Sequence, residues 1–383
     1  MKAETAPRLG AIDALTAGLN LAARRPLLLV IPVVIDLGLW LMPKLLVQTL
    51  LRQAQAIWEA LMLAFYTQAQ QAALAETVQV LREAFVSLGQ QIDLMTALTT
   101  GWLAAPSALV DVQATRFKLI SDGVLAPVGL GLTLPPVAAP PWQMPGWDIS
   151  NIWLVGLIIV GLWLLGQVLT TFYLRSAAEA LVAENTVPAQ RGPMHPPNGA
   201  AHEAQLAAGG STAARRIPFS FGALLLRFVV LSLLLGVIVF LIRVPLALAI
   251  ALAAFSGSTL AAGIFVFSGG LTLWFMLWFL SAVFFASEAM LFDGQSMGPA
   301  LWQALVLART SGWRTLGLIT LVNLIALGFR AVWGLMGQTP LGALISILGN
   351  AYLATGLLLA IFIYYNGLRR ELQTLRTARK VIK

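Results

Sequence analysis

The stretch from Leu27 to Met42, entered through Arg24-Arg25-Pro26 and interrupted by one carboxylate at Asp36, constrains this chain more than any other. Between Pro26 and Pro43 a helix rising about 1.5 Å per residue is long enough for roughly 30 Å of hydrocarbon. A secretory leader would need a short apolar core and a small-residue cleavage site, whereas this run continues through Leu39, Trp40, Leu41 and Met42, so it is expected to be retained. Pro32 offers no backbone N–H and its ring crowds Leu28, which predicts a bend one turn before Asp36. A carboxylate at bilayer depth is costly unless it is neutral, paired or wet, and Asp36 is the residue most in need of a partner.

Composition extends this from one stretch to the whole chain. Of 383 residues 59% are hydrophobic and only 10% are charged, with a mean hydropathy of +0.84, where soluble domains carry about a quarter charged residues. The fold class expected is all-α, a polytopic helical membrane protein. The formal charge of +8 belongs on a cytoplasmic face beside anionic lipid, and no nucleic-acid partner is read from it. The absence of cysteine excludes disulfides, thiolate metal sites, iron–sulfur clusters and cysteine nucleophiles. Both histidines, His195 and His202, fall in a polar loop, which argues against histidine-ligated haem within the membrane. No cofactor and no metal are expected.

Taken in order, residues 1–25 place Ile12, Leu15, Leu19 and Ala22 three to four apart and predict an amphipathic helix on the cytoplasmic surface. The first span is expected over 26–47. An extracytoplasmic loop of amphipathic helices follows over 48–147, with stripes such as Leu51, Ala54, Trp58, Leu61 and Phe65 before a proline-rich end. A second span over 152–174 leads into a cytoplasmic loop, 175–218, whose stretch 186–214 reads as a disordered insert. Spans three and four are expected over 221–242 and 259–286, separated by an outer interfacial segment at 244–256. Ser296 reads as the cap of a cytoplasmic interfacial helix over 296–312, with Leu301, Leu305 and Ala308 on one face. Spans five and six follow over 315–336 and 341–365, and 366–383 is a basic cytoplasmic tail.

Six spans with both termini inside satisfy the charge rule. Of the 24 lysines and arginines, only Lys44, Arg52, Arg82, Arg116, Lys118, Arg243 and Arg330 then fall elsewhere, five of them in one long loop. An inner (plasma) membrane location follows. Trp40, Trp147, Trp153 and Trp333 map to the outer interface, and Trp302 and Trp313 to the inner one.

An interfacial helix ending in arginine and leading through a short break into a span occurs at Ala22-Ala23-Arg24-Arg25-Pro26 and again at Ala304-Leu305-Val306-Leu307-Ala308-Arg309, followed by Trp313-Arg314-Thr315-Leu316. This layout resembles a loose group of bacterial six-helix membrane proteins, mostly of unassigned function, that includes the membrane domain fused to some glycerophosphodiester phosphodiesterases. The resemblance implies six helices with interfacial helices. It covers the spans and not the outer loop, and it transfers no catalytic residue, because the barrel that carries phosphodiesterase chemistry has no counterpart here.

Depth counting gives one candidate site. Asp36 in span one, Asn323 in span five and Asn350 in span six fall near a common level, and Arg330 is about two turns further out with a side chain long enough to lean towards Asp36. Such a level serves either as a polar intramembrane pocket or as interhelical hydrogen bonding that fixes packing. Glu288, near the inner end of span four, is expected to pair with Arg227 or Arg175. There is no GxxxxGK[ST] or HExxH motif, nor a pair of carboxylates at helical spacing within a span. The function expected is therefore a non-enzymatic inner-membrane scaffold or accessory subunit of an envelope process, in contact with the bilayer and its anionic lipid and with a protein partner through loop 48–147. A transporter or lipid-handling protein built around Asp36 is the alternative.

Overall fold

The structure, a computed structural model, describes residues 10–65, 146–186, 220–234 and 285–381, with isolated positions such as Leu94 between them. The rest of the 48–147 loop, nearly all of the 186–214 insert and of span four, and the outer segment at 244–256 lie outside the described residues. The described chain is helical apart from one two-stranded contact. Its helices are α1 (Ala11–Arg24), α2 (Val30–Leu41), α3 (Gln48–Phe65), α4 (Ile152–Thr186), α5 (Phe221–Leu234), α6 (Ala286–Asp293), α7 (Met297–Met336) and α8 (Pro340–Val381).

The core is built on α8. Its stretch from Leu353 to Phe362 is continuously buried, and the main apolar cluster gathers around it from α1, α4, α5, α6 and α7. α1 makes the closest approach. A Cβ on Gly18 would lie 2.4 Å from the Gly356 carbonyl oxygen and 2.5 Å from the Ala360 nitrogen, so only glycine lets these backbones meet. Ala14, Gly18 and Ala22 recur every fourth residue along the buried side of α1, and Gly18 faces Gly356 and Ala360, the small-residue packing by which helices associate in lipid. Tyr352 adds a hydrogen bond from its hydroxyl to the Leu19 carbonyl at 3.3 Å. Of the expected stripe, Leu15 and Ala22 are buried and Leu19 packs against the core, while Ile12 is 71% exposed; Ala14 and Gly18 complete the buried side.

The break expected at Arg24-Arg25-Pro26 is present, and the separate bend expected at Pro32 is not. α1 and the helix from Pro26 to Leu41 meet at 93°. The residue before a proline is pushed out of helical geometry, and Arg25 takes φ −124°, ψ 63°. Pro26 then opens a 3-10 turn, Pro26–Leu29, as its missing N–H and fixed φ suit a first helical position. Pro32 sits in the first turn of α2, just after that 3-10 turn, where the helix absorbs it without a break. α2 stops at Leu41, with Met42 extended, rather than running on to residue 47.

Beyond it, β1 (Leu45–Leu46) pairs in parallel with β2 (Trp147–Asp148). Asp148 caps α3 by accepting the Thr49 N–H at 3.2 Å and the Thr49 hydroxyl. Asn151 caps α4 by accepting the Trp153 N–H at 2.9 Å. The Asp148 cap and the β1–β2 pair tie together two segments about a hundred residues apart in sequence, with Val47, Ile149 and Leu94 packed together beside them.

α7 is two helices joined at Ser311, whose φ −124°, ψ 20° leaves the helical region. The hydroxyl of Ser311 donates to the Leu307 carbonyl at 2.6 Å and that of Thr310 to the Val306 carbonyl at 2.9 Å, supplying side-chain partners where the backbone ladder is interrupted. Ser296 is the N-cap residue, and the buried side of the first half is Ala300, Ala304 and Leu307, one position away from the face expected. Among the described residues two helices, within α4 and α8, are long and apolar enough to cross a membrane, or three if α1 and α2 form one bent span. The basic tail is not a separate element, for α8 continues unbroken to Val381.

Candidate functional site

Asp36 is fully buried on α2. Trp40, one turn later on the same side, packs on Ala343 and Ile347 of α8. Asn350, half-buried, lies three residues beyond Ile347. Asp36 and Asn350 are thus in the same quarter of the bundle, each about one turn from that apolar contact. The side chains of Asn323 and Arg330, both on α7, lie outside the described residues. Ser346, a turn before Asn350, bonds its own helix and its neighbour, donating to the Gly342 carbonyl at 2.8 Å and lying 3.3 Å from the Trp333 carbonyl.

Two further polar contacts tie α4 to the bundle. The Tyr173 hydroxyl, fully buried, donates to Thr355 Oγ1 on α8 at 2.8 Å, and Thr355 donates in turn to the Ala351 carbonyl at 2.7 Å. Ser232 on α5 donates to Gln167 Oε1 at 3.3 Å. Each polar group meets another across a helix boundary, as buried hydrogen-bonding groups must.

The densest polar cluster lies elsewhere, where α5, α6, α7 and α8 converge. Asp293, the last residue of α6, precedes Gly294, which takes φ 66° to turn the chain into α7. The Asp293 side chain is 6% exposed; it accepts hydrogen bonds from Tyr365 Oη at 2.7 Å and Gln303 Nε2 at 2.8 Å, and its other oxygen forms an ion pair with the Arg369 guanidinium at 2.6 Å. Gln303 also lies 3.0 Å from the Tyr365 hydroxyl and accepts from Gln295 through its Oε1. The Gln295 carbonyl accepts from Arg227 at 2.9 Å. Glu288 is fully buried one and a half turns earlier on α6 and accepts from Ser287 at 2.8 Å. Phe285 and Phe292 cover the Tyr365 ring at centroid distances of 5.6 and 6.2 Å. A guanidinium and two neutral donors surround this enclosed carboxylate where water would otherwise stand.

Arg175, one partner expected for Glu288, pairs with Glu179 on its own helix at 2.8 Å. Arg369, expected on a free basic tail, is 12% exposed and committed to Asp293, and Arg314 reaches Glu371 at 3.3 Å. The Asp293 cluster was missed because its members are scattered over four segments. One local signal was present: Tyr365 and Arg369 are four apart and therefore share a side of α8, where a donor and a cation invite one acceptor.

Compared with protein-family profiles, with curated proteins and with solved structures, the chain matches none.

Proposed function

We propose that this protein is a non-enzymatic inner-membrane scaffold or accessory subunit of an envelope process, with six spans, both termini cytoplasmic, and the 48–147 loop outside as the surface for a protein partner. The observation that carries the reading is the Asp293 cluster. Its carboxylate, guanidinium, phenol and amide are engaged with one another across three helices, which suits a part that holds a fixed shape. Truncating one partner of such a pair leaves a buried charge behind, so the fold is committed to this arrangement. The resemblance to bacterial six-helix membrane domains agrees with such a role and adds no chemistry.

The test is native mass spectrometry of the protein extracted with its surrounding membrane, scoring proteins and lipids together. A stoichiometric protein partner with bulk lipid is the expected outcome. A selectively enriched small molecule or lipid with no protein partner would sink the scaffold reading.

A second reading, a transporter or lipid-handling protein, is favoured by one observation: Asp36 is a fully buried carboxylate on an apolar helix. It predicts that Asp36→Asn abolishes function while preserving folding. Unchanged activity in that variant removes Asp36 from the site.

A further inference from the structure

The first half of α7 has two unlike sides. Ala300, Ala304 and Leu307 are fully buried against the core, while the opposite side carries Trp302, 67% exposed, and Arg309, exposed and two turns further on. Just past the kink at Ser311, Trp313 is 88% exposed. Four described arginines of the inner end meet carboxylates: Arg24 meets Glu184, Arg175 meets Glu179, Arg314 meets Glu371 and Arg369 meets Asp293. Arg309 meets no carboxylate among the described residues. Arg25 and Arg370 are likewise exposed, and what sets Arg309 apart is that exposed tryptophans, Trp302 and Trp313, flank it along α7.

What lies next along the helix identifies the surroundings. Beyond Trp313 the same helix exposes Leu324, Val332 and Leu335 at 65%, 42% and 79%, so the two tryptophans stand where exposed surface changes from polar to apolar. Indoles concentrate at such a boundary in membranes because the ring is apolar and its N–H is not. A guanidinium at that depth meets phosphate oxygens, which its planar fork binds through two parallel hydrogen bonds.

We propose that Trp302, Arg309 and Trp313 form a headgroup site for an anionic phospholipid of the cytoplasmic leaflet, with the indoles seated in the headgroup layer and Arg309 bonding the phosphate. The site rests on the membrane orientation proposed above and names the lipid contact of its cytoplasmic face. An acidic protein would offer the same charge, but continuity with the exposed apolar side of the span favours lipid.

The experiment uses the full chain in detergent, exchanged into nanodiscs of phosphatidylcholine with phosphatidylglycerol, and reads by native mass spectrometry the ratio of the two lipids retained on release. Wild type retains phosphatidylglycerol preferentially. Arg309→Gln is expected to lower that preference about fivefold, the factor that one surface arginine near an anionic leaflet supplies. Arg309→Lys retains much of it, and raising the salt removes it. Arg370→Gln, a control at another exposed arginine, leaves the preference intact. An undiminished preference in Arg309→Gln, or an equal loss in Arg370→Gln, overturns the site. So does loss of a co-purifying protein from Arg309→Gln membranes without a change in lipid ratio, because the occupant is then that protein. Only purified chain and lipid enter the ratio, so the site can fail while the scaffold reading stands, and the reverse.

Discussion

α4 and α8 both have the length and apolarity to cross a membrane, and they occupy opposite positions in the molecule. The best window of α4 has a mean hydropathy of 2.4 and is 11% buried; that of α8 has 1.9 and is 67% buried. The more apolar helix is on the rim and the less apolar one is the hub. In water this would be inverted, because apolar surface is driven inwards. In lipid the surroundings are as apolar as leucine, and helices associate through close backbone approach and hydrogen bonds. α8 has both, in Gly356 and Ala360 against Gly18 and in Ser346, Thr355, Tyr365 and Arg369. α4 has glycines that meet nothing, since a Cβ at Gly156 or Gly161 would have no neighbour within 4 Å.

The strongest test of this contrast is its charged pairs. Asp293→Ala strands the Arg369 guanidinium at the hub and is expected to cost about 3–5 kcal/mol, read as a lowered unfolding midpoint in detergent. Glu179→Gln removes the exposed pair with Arg175 on α4 and should cost only about 0.3–0.5 kcal/mol. Equal effects would mean that the Asp293 cluster is not enclosed as described. Next come the glycines. Gly18→Ala drives a methyl into the α8 backbone and should cost about 1–3 kcal/mol, whereas Gly161→Ala should be neutral or stabilise by about 0.4–1 kcal/mol. If Gly18→Ala is as harmless as Gly161→Ala, α1 does not pack on α8.

Smaller effects sharpen the rim. Tyr173→Phe removes the hydroxyl that joins α4 to Thr355 and should cost about 0.6 kcal/mol, the usual worth of such a contact; a loss of several times that would move α4 into the hub. The smallest is pH-dependent and lies outside the spans. The Thr49 hydroxyl, followed by the Thr49 backbone N–H, holds the Asp148 carboxyl below its usual range. A depressed folded-state pKa stabilises above the unfolded value, and that contribution is lost as pH falls below about 4. Hydrogen exchange at the Thr49 amide should therefore accelerate on acidification below that point, and Asp148→Asn should remove the step.

Much of the helical character was legible because hydropathy reports which segments leave water. The polar runs that open and close helices are legible too: Ser296 occupies the N-cap position of α7, without a side-chain capping bond, and Arg309 and Trp313 bracket its kink. What hydropathy does not report is which side of a helix meets another. The periodicity of Leu15, Leu19 and Ala22 finds the buried side of α1 but passes over Ala14 and Gly18, because large residues dominate such a count while the closest packing is made by small ones. The bend was placed at Pro32 because a proline interior to an apolar run draws attention, but Arg25-Pro26 already starts a new helix and leaves Pro32 in a first turn. The Asp293 cluster was hidden for a different reason. Asp293 falls between the stretches read as span four and the 296–312 helix, and Arg369 in the stretch read as a basic tail, and the unbroken α8 brings Arg369 to Asp293.

Site-specific photo-cross-linking in intact membranes tests the hub-and-rim arrangement most directly, with the reactive residue placed at Leu157 on α4 or at Leu357 on α8. Leu157 is 69% exposed and Leu357 1%. The arrangement predicts that Leu157 reacts outside its own chain, with lipid or partner, and that Leu357 reacts only within it. Lipid adducts at Leu357 together with purely internal adducts at Leu157 would contradict it.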